Sequence, residues 1–135
     1  MSRPSRKPTD TLGFVSERLC IERSEFFACL RRCANIDEYK DFLKAVRAAY
    51  PKARHYPSAR LFDDDGAISA GSTDDGEPSG TAGRQILAVL TRHCLSNTAI
   101  IVARYFGGKK LGAGGLTRAY ANAADMVAKA YTEGN

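Results

Sequence analysis

The sequence predicts one domain of the α/β class. Its 135 residues suit a single domain with one hydrophobic core. Strand-like and helix-like patterns follow each other in the order strand, strand, helix, two strands, helix, strand, helix. Two glycine-rich segments each lead into a predicted helix, and no repeat or linker indicates a second domain. These three features predict a sheet with helices packed against it.

The chain is predicted to begin with a disordered basic tail, residues 1–11, ahead of a domain formed by residues 12–135. Residues 12–34 are rich in apolar and β-branched side chains. They predict two strands with a break near Arg23 and Ser24.

Residues 36–50 predict an amphipathic helix. Asn35 followed three residues later by Glu38 is the pattern of a capping box, and Pro51 is expected to end the helix. Apolar residues recur at steps of three and four, the spacing of one helix face. They are Tyr39, Phe42, Leu43, Val46 and Tyr50.

The middle of the chain predicts a hairpin, a loop and a helix. Short strands are expected around 59–62 and 67–70, joined by a turn at Asp65 and Gly66. Residues 71–83 are predicted to be a loop, and a helix is expected from about Thr81 to Cys94. One face of this helix would carry Ile86, Leu87, Leu90 and Cys94.

The last third holds the clearest strand of the sequence, at 98–104. Its unbroken apolar run suits a central strand. Residues 107–115, with five glycines, are predicted to be a loop, and a helix is expected from about Leu116 to Tyr131. The buried stripe of that helix would be Leu116, Tyr120, Ala123, Val127 and Tyr131, and its exposed stripe Arg118, Asn122, Asp125 and Lys129.

The net charge of +5 is unevenly distributed. Six acids and no Lys or Arg lie between Asp63 and Glu77, whereas four bases and no acid lie between Val102 and Arg118. A basic patch favours an anionic partner such as nucleic acid or an acidic protein surface. The alternative is that both regions are solvated loops that keep the protein soluble.

The four cysteines are predicted to be buried free thiols. Cys29 and Cys33 have a Cys-x3-Cys spacing, but the second pair that a zinc site needs is missing. No window approaches the ~18 apolar residues of a membrane helix, and the polar N-terminus lacks the apolar core of a secretory signal. The expected location is the cytoplasm, without membrane association, and the alternative is that the polar, basic N-terminus is an organelle import tag. Disulfides are uncommon in the cytosol.

The two glycine-rich segments are the candidate sites. We call residues 73–83 the acidic loop and residues 104–118 the basic loop. Each precedes a helix, and the free amides of a helix N-terminus can hold an anion. Neither segment has the Lys-Ser or Lys-Thr of a Walker A loop, and neither matches the dinucleotide fingerprint. Each is therefore either a phosphate site or a set of tight turns.

A magnesium-dependent phosphate enzyme is the alternative that the acids raise. Asp74, Asp75 and Glu77 offer the oxygen ligands that magnesium prefers. However, no nucleophile and base complete a catalytic set, because the histidines are only His55 and His93. His93 is expected to be a partly buried helix residue, and His55 to hydrogen-bond the acidic loop. Acids beside glycine and proline more often cap turns and helix starts, so no catalysis, metal or cofactor is expected.

Residues 74–83 and 104–120 resemble the two signature segments of the IMPACT/YigZ family. The first segment reads Asp-Asp-Gly-Glu-Pro-Ser-Gly-Thr-Ala-Gly. The second segment reads Arg-Tyr-Phe-Gly-Gly-Lys-Lys-Leu-Gly-Ala-Gly-Gly-Leu-Thr-Arg-Ala-Tyr. The Ala-x-His stretch at 53–55 fits as well. The resemblance covers about residues 20–131. It implies a fold like the second domain of ribosomal protein S5, with a mixed sheet and helices packed on one face.

The resemblance also implies a function tied to translation. Eukaryotic members of the family bind a large ribosome-associated activator of a translation-controlling kinase and so restrain the response to amino-acid starvation. The expected role is a non-catalytic binding module in translation or its stress regulation, with a translation-associated protein or the ribosome as partner. The alternative is a protein that binds RNA or the ribosome directly.

The expected contacts lie in both loops. Arg104, Lys109, Lys110 and Arg118 would meet an anionic partner, and Tyr105 and Phe106 could stack on bases if their rings are exposed. The predicted basic-loop site is Arg104, Tyr105, Phe106, Gly107, Gly108, Lys109, Lys110, Gly112, Gly114, Gly115 and Arg118. The predicted acidic-loop site is Asp74, Asp75, Gly76, Glu77, Ser79, Gly80, Thr81 and Gly83.

Overall fold

A computed structural model describes residues 13–134, so the predicted tail at 1–11 lies outside the described residues. Within 13–134, strands and helices follow one another in the predicted order. The elements are β1 Val15–Ile21, β2 Ser24–Arg32, α1 Ile36–Ala49, β3 Ser58–Asp64, β4 Ala67–Thr73, α2 Gly83–Arg92, β5 Thr98–Tyr105 and α3 Gly112–Glu133.

The strands form one sheet in the order β1-β2-β5-β3-β4, which confirms the α+β class and the central place of β5. Every pairing among these described strands is antiparallel, so the expected mixed sheet is wrong in that detail. Both β2 and β3 run antiparallel to β5 and hence parallel to each other. Because β5 lies between them, they never pair, and no parallel ladder forms.

Helices cover both faces of the sheet, whereas the resemblance implied one. Helices α2 and α3 share a core with Ile100 and Val102 of β5. Helix α1 packs on the opposite face, where Phe42 and Val46 share a core with Ile101 of the same strand. Side chains alternate between the faces of a strand, and β5 is buried from Thr98 to Arg104 because each face has a helical layer.

Local turn chemistry explains the two hairpins. Glu22 and Arg23 between β1 and β2 have φ of 51° and 69°, and Asp65 and Gly66 between β3 and β4 have φ of 52° and 93°. Positive φ at both central residues matches the twist of a tight hairpin. Strand β4 continues to Thr73, through residues 71–73 that were expected to be loop.

Helix α1 begins as predicted. The Asn35 side chain accepts a hydrogen bond from the Glu38 amide at 3.0 Å, and the Glu38 carboxylate accepts from the Ala34 amide at 2.8 Å. These two contacts satisfy donors that the first turn leaves free. Tyr39, Phe42 and Val46 are buried, as the spacing predicted.

Helices α2 and α3 differ from their predicted bounds. Helix α2 ends at Arg92, and Cys94 with φ of 55° turns away from the helix and is exposed, so its expected place on the buried face is wrong. Helix α3 begins at Gly112, four residues before the predicted start at Leu116. Glycine disfavours helix, but the long buried face of α3 carries the helix into this glycine-rich segment. That face ends at Tyr131, which is only partly buried.

The four cysteines are free thiols, as expected, but only Cys29 and Cys33 are buried. Burial raises the pKa of Cys33 to about 11. Cys20 and Cys94 are exposed, so the prediction of burial is wrong for these two. Between residues 13 and 134, no helix combines the length and apolarity that crossing a membrane requires.

Candidate functional site

The acidic and basic loops meet at one cavity of about 340 Å³. The acidic loop joins β4 to α2, and the basic loop runs from the end of β5 through the first turns of α3. Residues of both loops line the cavity, together with the segment ahead of β3. Among them are His55, Glu77, Arg104, Phe106, Lys110 and Gly112.

A buried ion pair joins the two loops. Arg104 Nη1 donates to Glu77 Oε2 at 2.7 Å, and the two side chains are only 6% and 3% exposed. Arg104 Nη2 lies 3.4 Å from the Ser24 hydroxyl. Arg104 is therefore buried, with its guanidinium facing Glu77. A contact with a large partner would require this side chain on the surface, and the structure does not place it there.

Glu77 is the centre of this cluster. The Tyr120 hydroxyl of α3 donates to Glu77 Oε2, and His55 Nε2 lies 3.6 Å from Glu77 Oε1. Burial, followed by the neighbouring Glu77 carboxylate, raises the pKa of Tyr120 well above its usual range, so the phenol keeps its proton and donates. One carboxylate therefore ties the acidic loop to β5, α3 and the segment ahead of β3.

Asp74 caps α2 from outside the helix. Its Oδ1 accepts from the amides of Ala82 and Gly83 at 3.1 and 2.8 Å, and its Oδ2 accepts from the Gly80 amide at 2.9 Å. Partial burial acts to raise the pKa of Asp74, but these three donors outweigh it and leave the pKa below the usual value. The expected capping role of an acid in this loop is confirmed.

Asp75 and His55 hold the tip of the acidic loop. The Asp75 carboxylate accepts from the Tyr56 amide at 2.7 Å, and the Asp75 carbonyl lies 2.7 Å from His55 Nδ1, as expected for a histidine bonded to this loop. A Cβ on Gly76, where φ is +90°, would lie 3.0 Å from the His55 ring. Asp74, Asp75 and Glu77 therefore face three different sets of partners, and their carboxylates do not converge as magnesium ligands would.

The rest of the acidic loop is occupied by its own turns. The Thr81 hydroxyl donates to the Pro78 carbonyl at 2.6 Å, and Ser79 is exposed. A Cβ on Gly83 would lie 2.8 Å from the Thr73 backbone, so α2 starts in close contact with the end of β4. These residues shape the loop that presents Glu77.

The two aromatic residues of the basic loop have different surroundings. The Tyr105 hydroxyl donates to the Pro51 carbonyl at 2.8 Å, and its ring packs edge-on against Phe27 on the α1 side of the sheet. Phe106 is 38% exposed at the cavity, with the Arg54 guanidinium 4.8 Å from the ring centroid. Phe106 is more exposed than the partly buried Tyr105, and the Arg104 guanidinium also lies over its ring, 5.7 Å from the centroid.

Gly107 permits a close crossing of the backbone. A Cβ at this position would lie 2.2 Å from the carbonyl carbon of Arg23. The Gly107 amide donates to the Ser24 hydroxyl at 3.2 Å. The basic loop is therefore anchored on the β1–β2 turn, and the next residue, Gly108, turns away with φ of +89°.

The remaining bases of the basic loop are exposed. Lys109 forms an ion pair with Glu22 at 3.1 Å, whereas the neighbouring Lys110 lines the cavity. Arg118 is exposed on α3, next to Gly114. The predicted set of four bases is thus divided between the interior, an ion pair, the cavity and a helix surface.

Three residues at the site were not predicted as part of it. Tyr120 ends the second signature segment but was expected to be a core residue, and Ser24 was expected only as a strand break. Arg54 lies inside the 53–55 stretch, but its place at the cavity depends on contact with Phe106. The His55–Arg104 bridge and the bond from the Arg54 amide to the Arg104 carbonyl, 2.7 Å long, bring that stretch to the end of β5.

Comparison with known proteins places these loops in a wider group. The family model of the Impact N-terminal domain matches residues 22–128. The chain is 43% identical over 102 residues to the IMPACT family member YvyE of Bacillus subtilis, covering 76% of this chain and 46% of that protein. It is 36% identical over 113 residues to the IMPACT family member YigZ of Escherichia coli, covering 83% and 55%. The chain thus spans about half the length of these curated relatives.

Two solved structures share the fold. One, described as a hypothetical protein, superposes with a TM-score of 0.78 at 35% identity and covers 86% of this chain and 57% of its own. The other, the two-domain translational regulator Yih1, gives a TM-score of 0.58 at 22% identity and covers 94% and 53%. The second likeness shows the fold alone.

Proposed function

This chain belongs to the IMPACT family, and on that premise we propose that it is a non-catalytic binding module of translation or of its stress regulation. The observation that carries the proposal is the buried Glu77–Arg104 pair with Tyr120. Glu77, Arg104 and Tyr120 are bonded to one another, and they hold the two loops at one surface. Such an arrangement supports recognition of a partner rather than turnover.

The link to translation is supported by family membership. Yih1, whose fold this chain shares, is a translational regulator. The family resemblance of the two loops points the same way. The proposed partner is a translation-associated protein or the ribosome in the cytoplasm.

The charges of the basic loop favour an anionic surface on that partner. Lys109, Lys110 and Arg118 are exposed, Lys110 lines the same cavity as Phe106, and the buried Arg104 takes no part in the surface. Long basic side chains beside an exposed ring suit either an acidic protein surface or RNA. Direct RNA binding is the second candidate, favoured by the 38% exposure of the Phe106 ring.

Affinity capture from an extract of the source cells tests the proposal. The wild-type chain is compared with the double variant Lys110→Glu/Arg118→Glu, with and without RNase. Lys40→Glu is the matched control, since Lys40 is an exposed lysine of α1 on the opposite face of the sheet. We expect translation proteins to be captured by the wild type and the control, and to be lost from the double variant.

The RNase arm separates the two candidates. Capture that persists after RNase indicates a protein partner, and capture that disappears indicates RNA, whose affinity should also fall steeply with salt. Equal capture by the double variant would show that the basic loop is not the binding surface. Failure of the wild type to capture any translation component would contradict the proposed function.

A further inference from the structure

The cavity between the loops has the size and charge of an anion site. About 340 Å³ falls within the range of small-molecule sites. Its lining includes Arg54, His55, Arg104 and Lys110 and one carboxylate, Glu77. With Arg54, Arg104 and Lys110 against this single carboxylate, the lining carries excess positive charge.

The N-terminus of α3 opens into the same cavity. The 22-residue helix begins at Gly112, and Gly112 and Ala113 both line the cavity. The N-cap residue Leu111 makes no capping hydrogen bond with its side chain, and the first turn of the helix holds no acid. At α2, by contrast, Asp74 takes up the first amides. The free amides of α3 and the partial positive charge of its N-terminus favour an anion.

Arg104 adds a buried positive charge to the wall of the cavity. The residue is 5% exposed and lines the cavity, yet its Nε has no hydrogen-bond partner among the described residues. Buried donors of this kind are nearly always satisfied, and each exception calls for an explanation. Because the Nε atom is closed to solvent, an anion in the cavity would interact with this guanidinium through its charge and not through a hydrogen bond to Nε.

We propose that this cavity binds a 5′-phosphorylated nucleoside, with the phosphate at the N-terminus of α3 beside Lys110 and the base against the exposed ring of Phe106. A phosphate dianion matches the amides of a helix N-terminus together with lysine and arginine. The ring of Phe106 and the apolar side chains of Leu111 and Pro78 provide the surface for a flat base. The inference goes beyond the proposed function, because a small ligand can occupy the cavity whichever macromolecule binds outside.

Calorimetric titration of the full chain with AMP, GMP, adenosine and inorganic phosphate tests the site. AMP and adenosine share the base and ribose, so they isolate the phosphate. We expect AMP or GMP to bind at least about tenfold more tightly than adenosine, and inorganic phosphate to compete with them. Equal binding of AMP and adenosine, or no binding of any probe at millimolar concentration, would overturn the proposal.

Two neighbouring lysines provide a matched pair of variants. Lys110→Ala should weaken AMP binding at least about fivefold, whereas Lys109→Ala, whose lysine pairs with Glu22 and does not line the cavity, should change it less than about twofold. Equal weakening by both would indicate general surface charge and not a site. Ala113→Asp adds a carboxylate to the first turn of α3, so it should preserve or raise the melting temperature while abolishing AMP binding.

A third arm identifies the source of the phosphate. A tetraribonucleotide with a 5′-phosphate is compared with the same oligonucleotide ending in a 5′-hydroxyl. Tighter binding of the phosphorylated form than of AMP identifies an RNA end as the ligand, and equal binding identifies the free nucleotide. Oligonucleotides that bind equally with and without the 5′-phosphate would refute the site. These titrations contain no protein partner, so their failure leaves the capture experiment unaffected.

Discussion

Replacing Glu77 with alanine tests whether the buried pair holds the two loops together. The carboxylate is 3% exposed and the Arg104 side chain 6%, so the change leaves a guanidinium buried without its counter-charge. Breaking a buried pair by removing one partner costs about 3–5 kcal/mol. A domain of this size is stable by about 5–15 kcal/mol, so we expect a large fraction of its stability to be lost.

Urea unfolding followed by far-UV circular dichroism measures this loss. The control is Glu22→Ala, which breaks the exposed pair between Glu22 and Lys109 and should cost less than about 1 kcal/mol. If Glu77→Ala proves too unstable to purify, Tyr120→Phe removes one donor to the same carboxylate and should cost about 1.5–3 kcal/mol. If Glu77→Ala lowers the free energy of unfolding no more than Glu22→Ala does, the view that the Glu77–Arg104 pair is buried and structural is refuted.

Three further outcomes follow from the described contacts. Since the pKa of Asp74 is below its usual value in the folded state, its carboxylate stabilises the fold above about pH 4, and this stabilisation is lost as the pH falls further. Asp74→Asn should therefore lower the free energy of unfolding by about 1 kcal/mol at pH 7, measured by urea unfolding. The same change should weaken the dependence of stability on pH below about pH 4. Gly107→Ala should lower stability by about 3 kcal/mol, because its Cβ would lie 2.2 Å from the backbone of the β1–β2 turn. Gly108→Ala, which is strained only by its φ of +89°, should cost about 1–2 kcal/mol. Equal losses for the two variants would contradict the steric explanation. A thiol reagent should label Cys20 rapidly and Cys29 only on unfolding, as mass spectrometry would show.

The sequence predicted those elements whose signals are local. The capping box at Asn35 and the turn at Asp65 and Gly66 depend on neighbouring residues, and both appear where expected. The start of α3 depends instead on the packing of its distant buried face. The low helix propensity of the glycines therefore led to a predicted start that is too late in the sequence. The unbroken apolar run of β5 predicts a central strand. It is equally typical of a strand covered on both faces, which the structure shows.

For the site, the sequence identified both loops but not the direction of their side chains. Arg104 stands two residues after Val102 in β5, and alternation therefore places it on the α2 and α3 side of the sheet. That signal was available, but its partner Glu77 lies 27 residues earlier and no local rule connects the two. The same holds for Arg54, which reaches the cavity through a bridge between His55 and Arg104.

The position of β5 has a consequence for how the chain folds during synthesis. The two hairpins, β1–β2 and β3–β4, form from neighbouring residues, but only β5 pairs with both. Because β5 is the last strand made and the middle strand of the sheet, a nascent chain that has emerged only as far as Ser96 holds two separate hairpins and no shared core. Assembly must wait for residues 98–105, and it then becomes cooperative, since one strand joins both halves at once.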